Sequence, residues 1–305
     1  MIDPSTFRPE DHRRVLIVAP HPDDETLAAA GLIQRVQAAG GTVRVLLLTD
    51  GDANPWPQRW LERRLRIGPA DRARWGRRRR DEWHAALDLL GVPVGERRAL
   101  GWPDMGLTAR LALAPALWRA PLVQELEDFR PDLVVLPALA DRHPDHGAAH
   151  VLMRLALAAW TQEPPPLLGY PVHVRDVPGA RIEVPASAAF MAQKERALAC
   201  HRTQLALSGG RLRRLIERTE CYVPNTPVTA PGVLPWRPSP VLWPWLRLTI
   251  ATPAGLRTVP WSTLPRLRAG SPPRVELDDP APRFVKLHTN LPSPWIFDLW
   301  GWAEL

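Results

Sequence analysis

The chain has 305 residues, of which 45% are hydrophobic, and it carries a formal net charge of +7 at pH 7. A chain of this length and composition can bury a sizeable core. It has no apolar run near the roughly 20 residues that a transmembrane helix needs, and its polar N-terminus is unlike a secretory signal, so we expect a cytoplasmic protein.

Strand-like and helix-like segments alternate along most of the chain. Continuous apolar runs such as Val15–Ala19 and Leu133–Leu136 are typical of strands that are buried on both faces. The predicted strands are residues 15–20, 43–49, 97–101, 132–137 and 167–174. The predicted helices are residues 25–39, 71–90, 117–129, 146–161 and 187–206. This order predicts an α/β fold with a Rossmann-like, mostly parallel sheet that has helices on both faces.

Composition changes after about residue 222, because residues 223–305 are rich in Pro and Trp. Frequent prolines and extended stretches favour short antiparallel strands and turns. We therefore predict a first domain at 1–222 and a strand-rich extension at 223–305 that packs on it. We interpret the tryptophans of the extension as packing residues, with a sugar-stacking surface or a partner interface as alternatives. They are Trp236, Trp243, Trp245, Trp261, Trp295, Trp300 and Trp302.

Arginine accounts for nearly all of the positive charge, and it is densest at residues 77–80. Such a stretch could face an anionic substrate, a membrane surface or nucleic acid, but we favour a solvated helix face. No nucleic-acid-binding motif is visible, so we expect no nucleic-acid partner. Cys200 and Cys221 belong to no motif and are predicted to be free thiols. Residues 53–69 are predicted as a mobile rim or a plain surface loop.

The run His21-Pro22-Asp23-Asp24-Glu25 follows the first predicted strand. One imidazole and several carboxylates therefore stand at the carboxyl end of a strand, where open α/β sheets bind ligands. Acidic side chains are almost never fully buried unless they are paired or bound to metal. We interpret the run as half of a metal site. The alternative is a helix N-cap formed by Asp23 or Asp24, which does not need His21.

A second run of this kind, residues 141–150, follows the fourth predicted strand and reads Asp-Arg-His-Pro-Asp-His-Gly-Ala-Ala-His. If both strands belong to one parallel sheet, both runs emerge at the same edge. His21 and Asp24 would then share an ion with a histidine of the second run, either His143 or His146. Two imidazoles and one carboxylate leave an open position on zinc for water, which is the pattern of a catalytic site.

These two motifs carry a resemblance to a known family. A His-Pro-Asp-Asp-Glu run after a first strand, with His-Pro-Asp-His at 143–146, resembles the LmbE-like, PIG-L-type zinc de-N-acetylase family. The resemblance covers roughly residues 13–222. Weaker similarities to the family lie in Arg79 to Gly91, in Gly101-Trp102-Pro103-Asp104, and in Lys194 to Gln204.

The resemblance implies a role for individual side chains. His21, Asp24 and His146 match the zinc ligands. Asp23 matches the general base that activates the metal-bound water. His143 matches the residue that stabilises the oxyanion or assists the leaving amine, and a protonated imidazole suits either task. The resemblance leaves open whether Asp23 or His143 protonates the amine.

The resemblance implies a metal-dependent hydrolase that removes an N-acetyl group from a small-molecule amino sugar or a glycoconjugate. The expected cofactor is Zn²⁺, which Fe²⁺ or another divalent ion could replace. Arg79 and Asp104 are candidates for substrate contact, with surface ion pairing as the alternative.

Two other functions stay open at this stage. Two histidines and a carboxylate also form the facial triad of mononuclear non-haem iron oxygenases. A non-catalytic glycan- or nucleic-acid-binding protein is the other alternative.

Overall fold

A computed structural model of the protein describes residues 2–174, 177, 179–225, 232–264, 274–275, 281–291 and 295–305. The chain forms two compact units. The first unit consists of Met1–Gly106, Phe129–Ala138 and Pro165–Asn225, and the second of Leu107–Asp128, Leu139–Pro164 and Thr226–Leu305. The boundary at residue 222 that composition suggests stays a prediction.

The elements of the described residues are numbered in chain order. The strands are β1 (Arg14–Ala19), β2 (Thr42–Thr49), β3 (Arg97–Trp102), β4 (Leu133–Pro137), β5 (Leu167–Tyr170), β6 (Ile182–Val184), β7 (Glu220–Pro224), β8 (Leu246–Thr252), β9 (Gly255–Pro260), β10 (Phe284–Thr289) and β11 (Gly301–Glu304). The helices are α1 (Asp24–Ala38), α2 (Pro55–Glu62), α3 (Pro69–Leu89), α4 (Leu107–Arg110), α5 (Ala116–Phe129), α6 (Pro144–Ala159), α7 (Ala188–Cys200) and α8 (Arg202–Ile216).

The first unit is built on a seven-stranded sheet in the order β3-β2-β1-β4-β5-β7-β6. Strands β3, β2, β1, β4 and β5 are parallel to one another, whereas β7 is antiparallel to β5 and β6. Val15–Ala19 and Leu133–Leu136 are completely buried, as strands covered on both faces are. The predicted α/β fold with a Rossmann-like, mostly parallel sheet is confirmed.

Strands β1 and β4 lie side by side at the centre of this sheet. Val15 pairs with Leu133 and Ile17 pairs with Val135, so the two strands run in register and end at the same edge. The carboxyl ends of parallel strands are where such sheets bind ligands. Both His/Asp runs of the sequence therefore leave the sheet from neighbouring strand ends.

A buried polar cluster holds α1 in place. Glu220 of β7 accepts the backbone N–H of Gly31 at 2.8 Å, and Lys194 Nζ lies 2.7 Å from the same carboxylate oxygen. The hydroxyl of Tyr222 donates to the carbonyl of Ala28 at 2.8 Å. Because buried charges are tolerated only when paired and hydrogen-bonded, this cluster fixes the position of the helix that follows the first motif.

The predicted helix at 187–206 is two helices. The backbone of His201 takes φ −78° and ψ 57°, which ends α7 and starts α8 in a new direction. Its Nε2 lies 3.2 Å from the hydroxyl of Thr26. Helical periodicity continues through this position in the sequence, so a break caused by a tertiary contact leaves no local signal.

The interpretation of residues 53–69 as a loop is wrong, because α2 covers Pro55–Glu62. The side chain of Asn54 accepts the backbone N–H of Trp56 at 3.2 Å, and Pro55 occupies the first helical position. Asn at the N-cap with Pro directly after it is a helix-start signal. The density of Pro and Trp in the segment concealed that signal.

The second unit contains a four-stranded antiparallel sheet in the order β11-β10-β8-β9, which confirms a strand-rich C-terminal extension. This sheet packs on α6 of the same unit. Arg154 of α6 forms two hydrogen bonds to Glu304, at 2.9 and 2.5 Å. A Cβ added at Gly147 would lie 2.6 Å from Trp302, so only glycine allows β11 to approach so closely.

The tryptophans of the extension differ in how far they are buried. Trp261 and Trp302 are buried, and Trp236, Trp243 and Trp300 are partly buried against the core of the second unit. Trp245 and Trp295 are exposed. Cys200 and Cys221 are both free thiols, as predicted. None of the described helices is both long enough and apolar enough to cross a membrane.

Candidate metal centre

The first unit presents His21 and Asp24 in the turn between β1 and α1. The Oδ2 atom of Asp24 accepts the backbone N–H of His21 at 2.9 Å. The Nδ1 atom of the His21 ring lies 3.3 Å from the same oxygen. Both side chains are buried. The turn therefore directs one ring nitrogen and one carboxylate oxygen toward a common point.

Asp104 lies against the other nitrogen of this ring. Its Oδ1 is 3.2 Å from His21 Nε2, and its Oδ2 accepts the backbone N–H of Ala53 at 2.7 Å. Burial raises the pKa of Asp104, but the hydrogen bond and charge of His21, the Ala53 N–H and the charge of Arg79 together hold this pKa well below its usual range. Asp104 is therefore an anionic partner that favours a proton on Nε2.

Asp23 stands at the N-cap position of α1, yet its side chain caps no N–H of that helix among the described residues. Its φ is 137°, in the region that favours glycine. Burial raises the pKa of its carboxyl to about 6, against the lowering effect of Arg79, and neighbouring Asp24 raises it further. A strained, buried carboxyl that titrates near neutral pH is typical of a functional group and not of a cap.

Arg79 supports the Asp23 turn from α3. The sequence indicates a solvated helix face for its arginine run, but Arg79 itself is buried. It donates to the carbonyls of Gly51 at 2.5 Å and Pro22 at 2.9 Å, and Nη2 lies 3.7 Å from Asp23 Oδ2. A Cβ at Gly51, where φ is 64°, would lie 1.7 Å from the guanidinium. Glycine is therefore required where β2 ends.

Glu25 lies in the first turn of α1, next to the turn that carries Asp23, and is completely buried. Its carboxylate accepts the Thr26 hydroxyl at 2.8 Å and lies 3.6 Å from His201 Nε2. The backbone N–H of Asp23 points to its other oxygen at 3.4 Å. Glu25 thus ties the turn to the junction of α7 and α8.

The second unit presents His143 and His146 at the start of α6. His143 is the N-cap, and its Nδ1 accepts the backbone N–H of Asp145 at 3.3 Å. Asp141 accepts the His143 backbone N–H at 3.0 Å, and its Oδ2 lies 3.4 Å from His146 Nδ1. The two imidazole rings are 5.1 Å apart between centroids. A carboxylate therefore faces one nitrogen of His146, as Asp104 faces one nitrogen of His21.

Two further side chains of this segment have structural contacts. Asp145 accepts the backbone N–H of Leu107 at 3.1 Å. The ring of His150 packs edge-on against Phe284 at 6.2 Å.

The donor atoms of His21 and Asp24 have the spacing of two ligands of a zinc-like ion. Zinc binds imidazole nitrogen and carboxylate oxygen at about 2.0–2.2 Å, so two ligands of a tetrahedral site lie about 3.3 Å apart. His21 Nδ1 and Asp24 Oδ2 have that separation. Metal-binding histidines usually donate their other ring N–H to a carboxylate, the position of Asp104 beside His21 and of Asp141 beside His146.

Two contacts of the site were not predicted from the sequence, namely the close approach of Arg79 to Gly51 and the contact of Asp104 with His21. A glycine directly after a strand-terminal Thr-Asp pair is a usable signal for close backbone approach. The contact of Asp104 with His21 joins residues far apart in the chain, so local pattern holds no sign of it.

Comparisons with known proteins agree with this geometry. Residues 16–157 match the PIG-L family, described as GlcNAc-PI de-N-acetylase. Two relatives are each named 1D-myo-inositol 2-acetamido-2-deoxy-alpha-D-glucopyranoside deacetylase. The one from Mycobacteroides abscessus is 32% identical over 48% of this chain and 57% of its own length. The one from Rhodococcus opacus is 34% identical over 52% and 58%. The matched segment thus spans less than two thirds of these relatives.

Solved structures share the fold. A conserved protein from Thermus thermophilus has a TM-score of 0.52 at 29% identity, and the match covers 74% of this chain and 100% of that one. The N,N'-diacetylchitobiose deacetylase of Pyrococcus horikoshii has a TM-score of 0.55 at 19% identity, over 71% and 85%. The match of residues 16–157 to the PIG-L family confirms the resemblance inferred from the two motifs.

Proposed function

We propose that this protein is a zinc-dependent N-deacetylase that removes the acetyl group from an N-acetylated amino sugar or a glycoconjugate that carries one. One observation carries the proposal: two histidines, each with a carboxylate against one ring nitrogen, follow the carboxyl ends of two adjacent parallel strands. The names of the relatives from Mycobacteroides abscessus and Rhodococcus opacus support the choice of an acetamido sugar.

The proposed ligands are His21 and Asp24 of the first unit and His146 of the second. The separation of 3.3 Å between His21 Nδ1 and Asp24 Oδ2 supports this assignment. Because Asp141 faces Nδ1 of His146, we assign Nε2 of that ring as its ligand atom. When bound, the ion lowers the pKa of water to about 7 and polarises the amide carbonyl.

Asp23 is the proposed general base. Its buried carboxyl has a pKa of about 6, so it is ionised at neutral pH yet basic enough to accept a proton from the attacking water. Its positive φ holds the carboxyl in a conformation that the capping role would not require. Arg79, bound to the two carbonyls of the turn, limits how far Asp23 can move.

His143 is the proposed donor to the developing oxyanion or to the leaving amine. Its Nδ1 accepts an N–H from the start of α6, so the proton of the neutral ring is on Nε2. A preorganised donor of this kind is worth about 10²–10³ in turnover where it has been removed from other hydrolases.

Substrate contact by Arg79 and Asp104 stays a prediction. Their contacts in the structure support a different proposal for each. Asp104 orients the His21 ring, and Arg79 shapes the turn that carries Asp23.

The test is a deacetylation screen of 2-acetamido-2-deoxyglucosides with the full chain, stripped of metal and reloaded with Zn²⁺ or Fe²⁺. Acetate and free amine should appear in equal amounts, and they should appear without oxygen. Oxygen-dependent turnover would instead favour the iron oxygenase alternative. Sugar binding that survives chelation and Asp23→Ala, with no acetate released, would favour a binding protein.

A further inference from the structure

The segment Trp295–Leu299 of the C-terminal extension is an exposed apolar loop, here named the aromatic loop. Its side chains at Trp295, Ile296, Phe297 and Leu299 are 80%, 49%, 45% and 68% exposed. Large apolar side chains scattered singly on a surface need no explanation, but four within five residues form a patch. Patches of this kind mark binding surfaces.

The aromatic loop is anchored through its one polar residue, Asp298. The backbone N–H of Asp298 donates to the carbonyl of Arg142 at 2.8 Å, and Arg142 Nε donates back to the carbonyl of Asp298 at 3.2 Å. The carboxylate of Asp298 pairs with Lys286 of β10 at 2.7 Å. These bonds hold the loop against the segment that precedes α6, so its apolar side chains are presented in a fixed place.

The hydrogen bonds between Asp298 and Arg142 place the aromatic loop beside His143, a residue of the proposed reaction. Arg142 is the neighbour of His143 in the chain, and the ring of Phe297 meets the His143 ring edge-on at 6.1 Å. All of these residues belong to the second unit. The patch is therefore continuous with the imidazole to which we assign contact with the amide.

The chemistry of the patch selects an apolar occupant. A sugar ring can stack its apolar face on an indole, but its hydroxyls need hydrogen-bonding side chains around it, whereas this loop offers indole, phenyl and branched alkyl groups. Its charged member, Asp298, is already engaged by Lys286. An alkyl or aryl group would bury apolar surface on the loop without leaving polar atoms unpaired.

We propose that the aromatic loop binds an alkyl or aryl substituent of the acetamido sugar and so makes the C-terminal extension part of the substrate site. This proposal rests on the proposed deacetylase function. The substituent is either the group on the anomeric oxygen or a longer N-acyl chain, which share the same chemistry.

Two substrate series distinguish these sources. The first keeps the N-acetyl group and lengthens the glycoside from methyl to octyl, and the second keeps a methyl glycoside and lengthens the N-acyl chain. Each buried methylene should lower KM about twofold to fourfold in the series that fits the loop. In Trp295→Ala and Phe297→Ala this dependence of KM on chain length should flatten.

Val241→Ala is the matched control, because Val241 is an exposed apolar side chain of the same extension. It should keep the wild-type dependence on chain length. The proposal fails if both series are flat in the wild-type protein, or if Trp295→Ala and Phe297→Ala keep the wild-type slope. Either result leaves the deacetylase function intact.

A second measurement keeps the proposal testable if no sugar is turned over. Calorimetric titration of the metal-loaded Asp23→Asn protein with the methyl and octyl glycosides measures binding without chemistry. The N-octanoyl analogue of the methyl glycoside is titrated in the same way. The compound whose chain reaches the loop should bind more tightly than the N-acetyl methyl glycoside, and adding Trp295→Ala should remove most of that difference. Equal affinities for all three compounds would refute the role of the loop.

Discussion

His21 Nε2 and Asp104 Oδ1 lie 3.2 Å apart, so a carboxylate from the loop after β3 fixes the orientation of an imidazole that follows β1. The same carboxylate is held by the N–H of Ala53. Asp104 thus acts on the ring through a hydrogen bond that leaves Nδ1 directed toward Asp24. This relationship makes Asp104 a positioning residue in our proposal.

Asp104→Ala should weaken zinc binding about tenfold to a hundredfold, the usual effect of removing such a partner. Asp104→Asn should lose less, because its amide oxygen can still accept from Nε2. Competition with a chromophoric chelator measures the affinity. Asp52→Asn changes another carboxylate near Asp104 and should leave the affinity unchanged. Equal zinc affinity in Asp104→Ala and wild type would contradict the assignment.

His21→Ala and His146→Ala should each lose zinc outright, because each removes one of three proposed ligands. The measurement is the zinc content per chain after dialysis against a weak chelator. His12→Ala is a control outside the motifs and should keep the wild-type content. Full zinc content in His146→Ala would separate the second unit from the metal centre.

Asp23→Asn should keep its zinc and lose at least about a hundredfold in turnover, the scale of a general base. Asn preserves the size of the side chain and its tolerance of positive φ but cannot accept the proton. Parallel zinc analysis and acetate assays separate the two effects. Near-normal turnover would remove Asp23 from the base role.

The parallel sheet could be predicted because its strands are continuous apolar runs. Residues 15–20 and 132–137 match β1 and β4 within one residue at each end. A continuous apolar run is stable as a strand only where both faces of the sheet are covered. The His/Asp runs could be predicted as a site for the complementary reason, since charged residues are rarely buried unless they are paired or bound to metal.

The elements that sequence reasoning missed depend on partners distant in the chain. Strand β7 begins with Glu220, a residue that discourages a strand prediction, and it is buried only because Lys194 neutralises it. The break at His201 has the same origin in contacts with Glu25 and Thr26. Helix α2 is a different case, because its sequence does contain a helix-start signal, Asn54-Pro55. The many Pro and Trp residues of the segment favour a loop prediction despite that signal.

In the metal-free protein, Asp23 should lower the free energy of unfolding by an amount that depends on pH. Its pKa is about 6 in the folded state and 3.8 without the fold, so well below pH 3.8 both states hold the proton and Asp23 costs no stability. As the pH rises from 3.8 to 6 the unfolded state ionises first, and above pH 6 the full cost to the folded state is about 3 kcal/mol. With a chelator present, Asp23→Asn should therefore gain stability over wild type at pH 7.5 and only about a third of that gain at pH 4.5. If the free energies of unfolding of Asp23→Asn and wild type differ by the same amount at both pH values, the pKa of Asp23 is not raised.

The buried pair of Lys194 and Glu220 gives a prediction about stability alone. Lys194→Met leaves an uncompensated carboxylate in the core and should lower the free energy of unfolding by about 3–5 kcal/mol. Adding Glu220→Gln should restore part of the loss, because a neutral amide oxygen can still accept the Gly31 N–H without a buried charge. Arg64→Met breaks an exposed ion pair and should cost at most about 1 kcal/mol. Urea unfolding measures the free energy of unfolding of the three variants. A double variant less stable than Lys194→Met would show that the Glu220 carboxylate is held by its hydrogen bonds more than by the charge of Lys194.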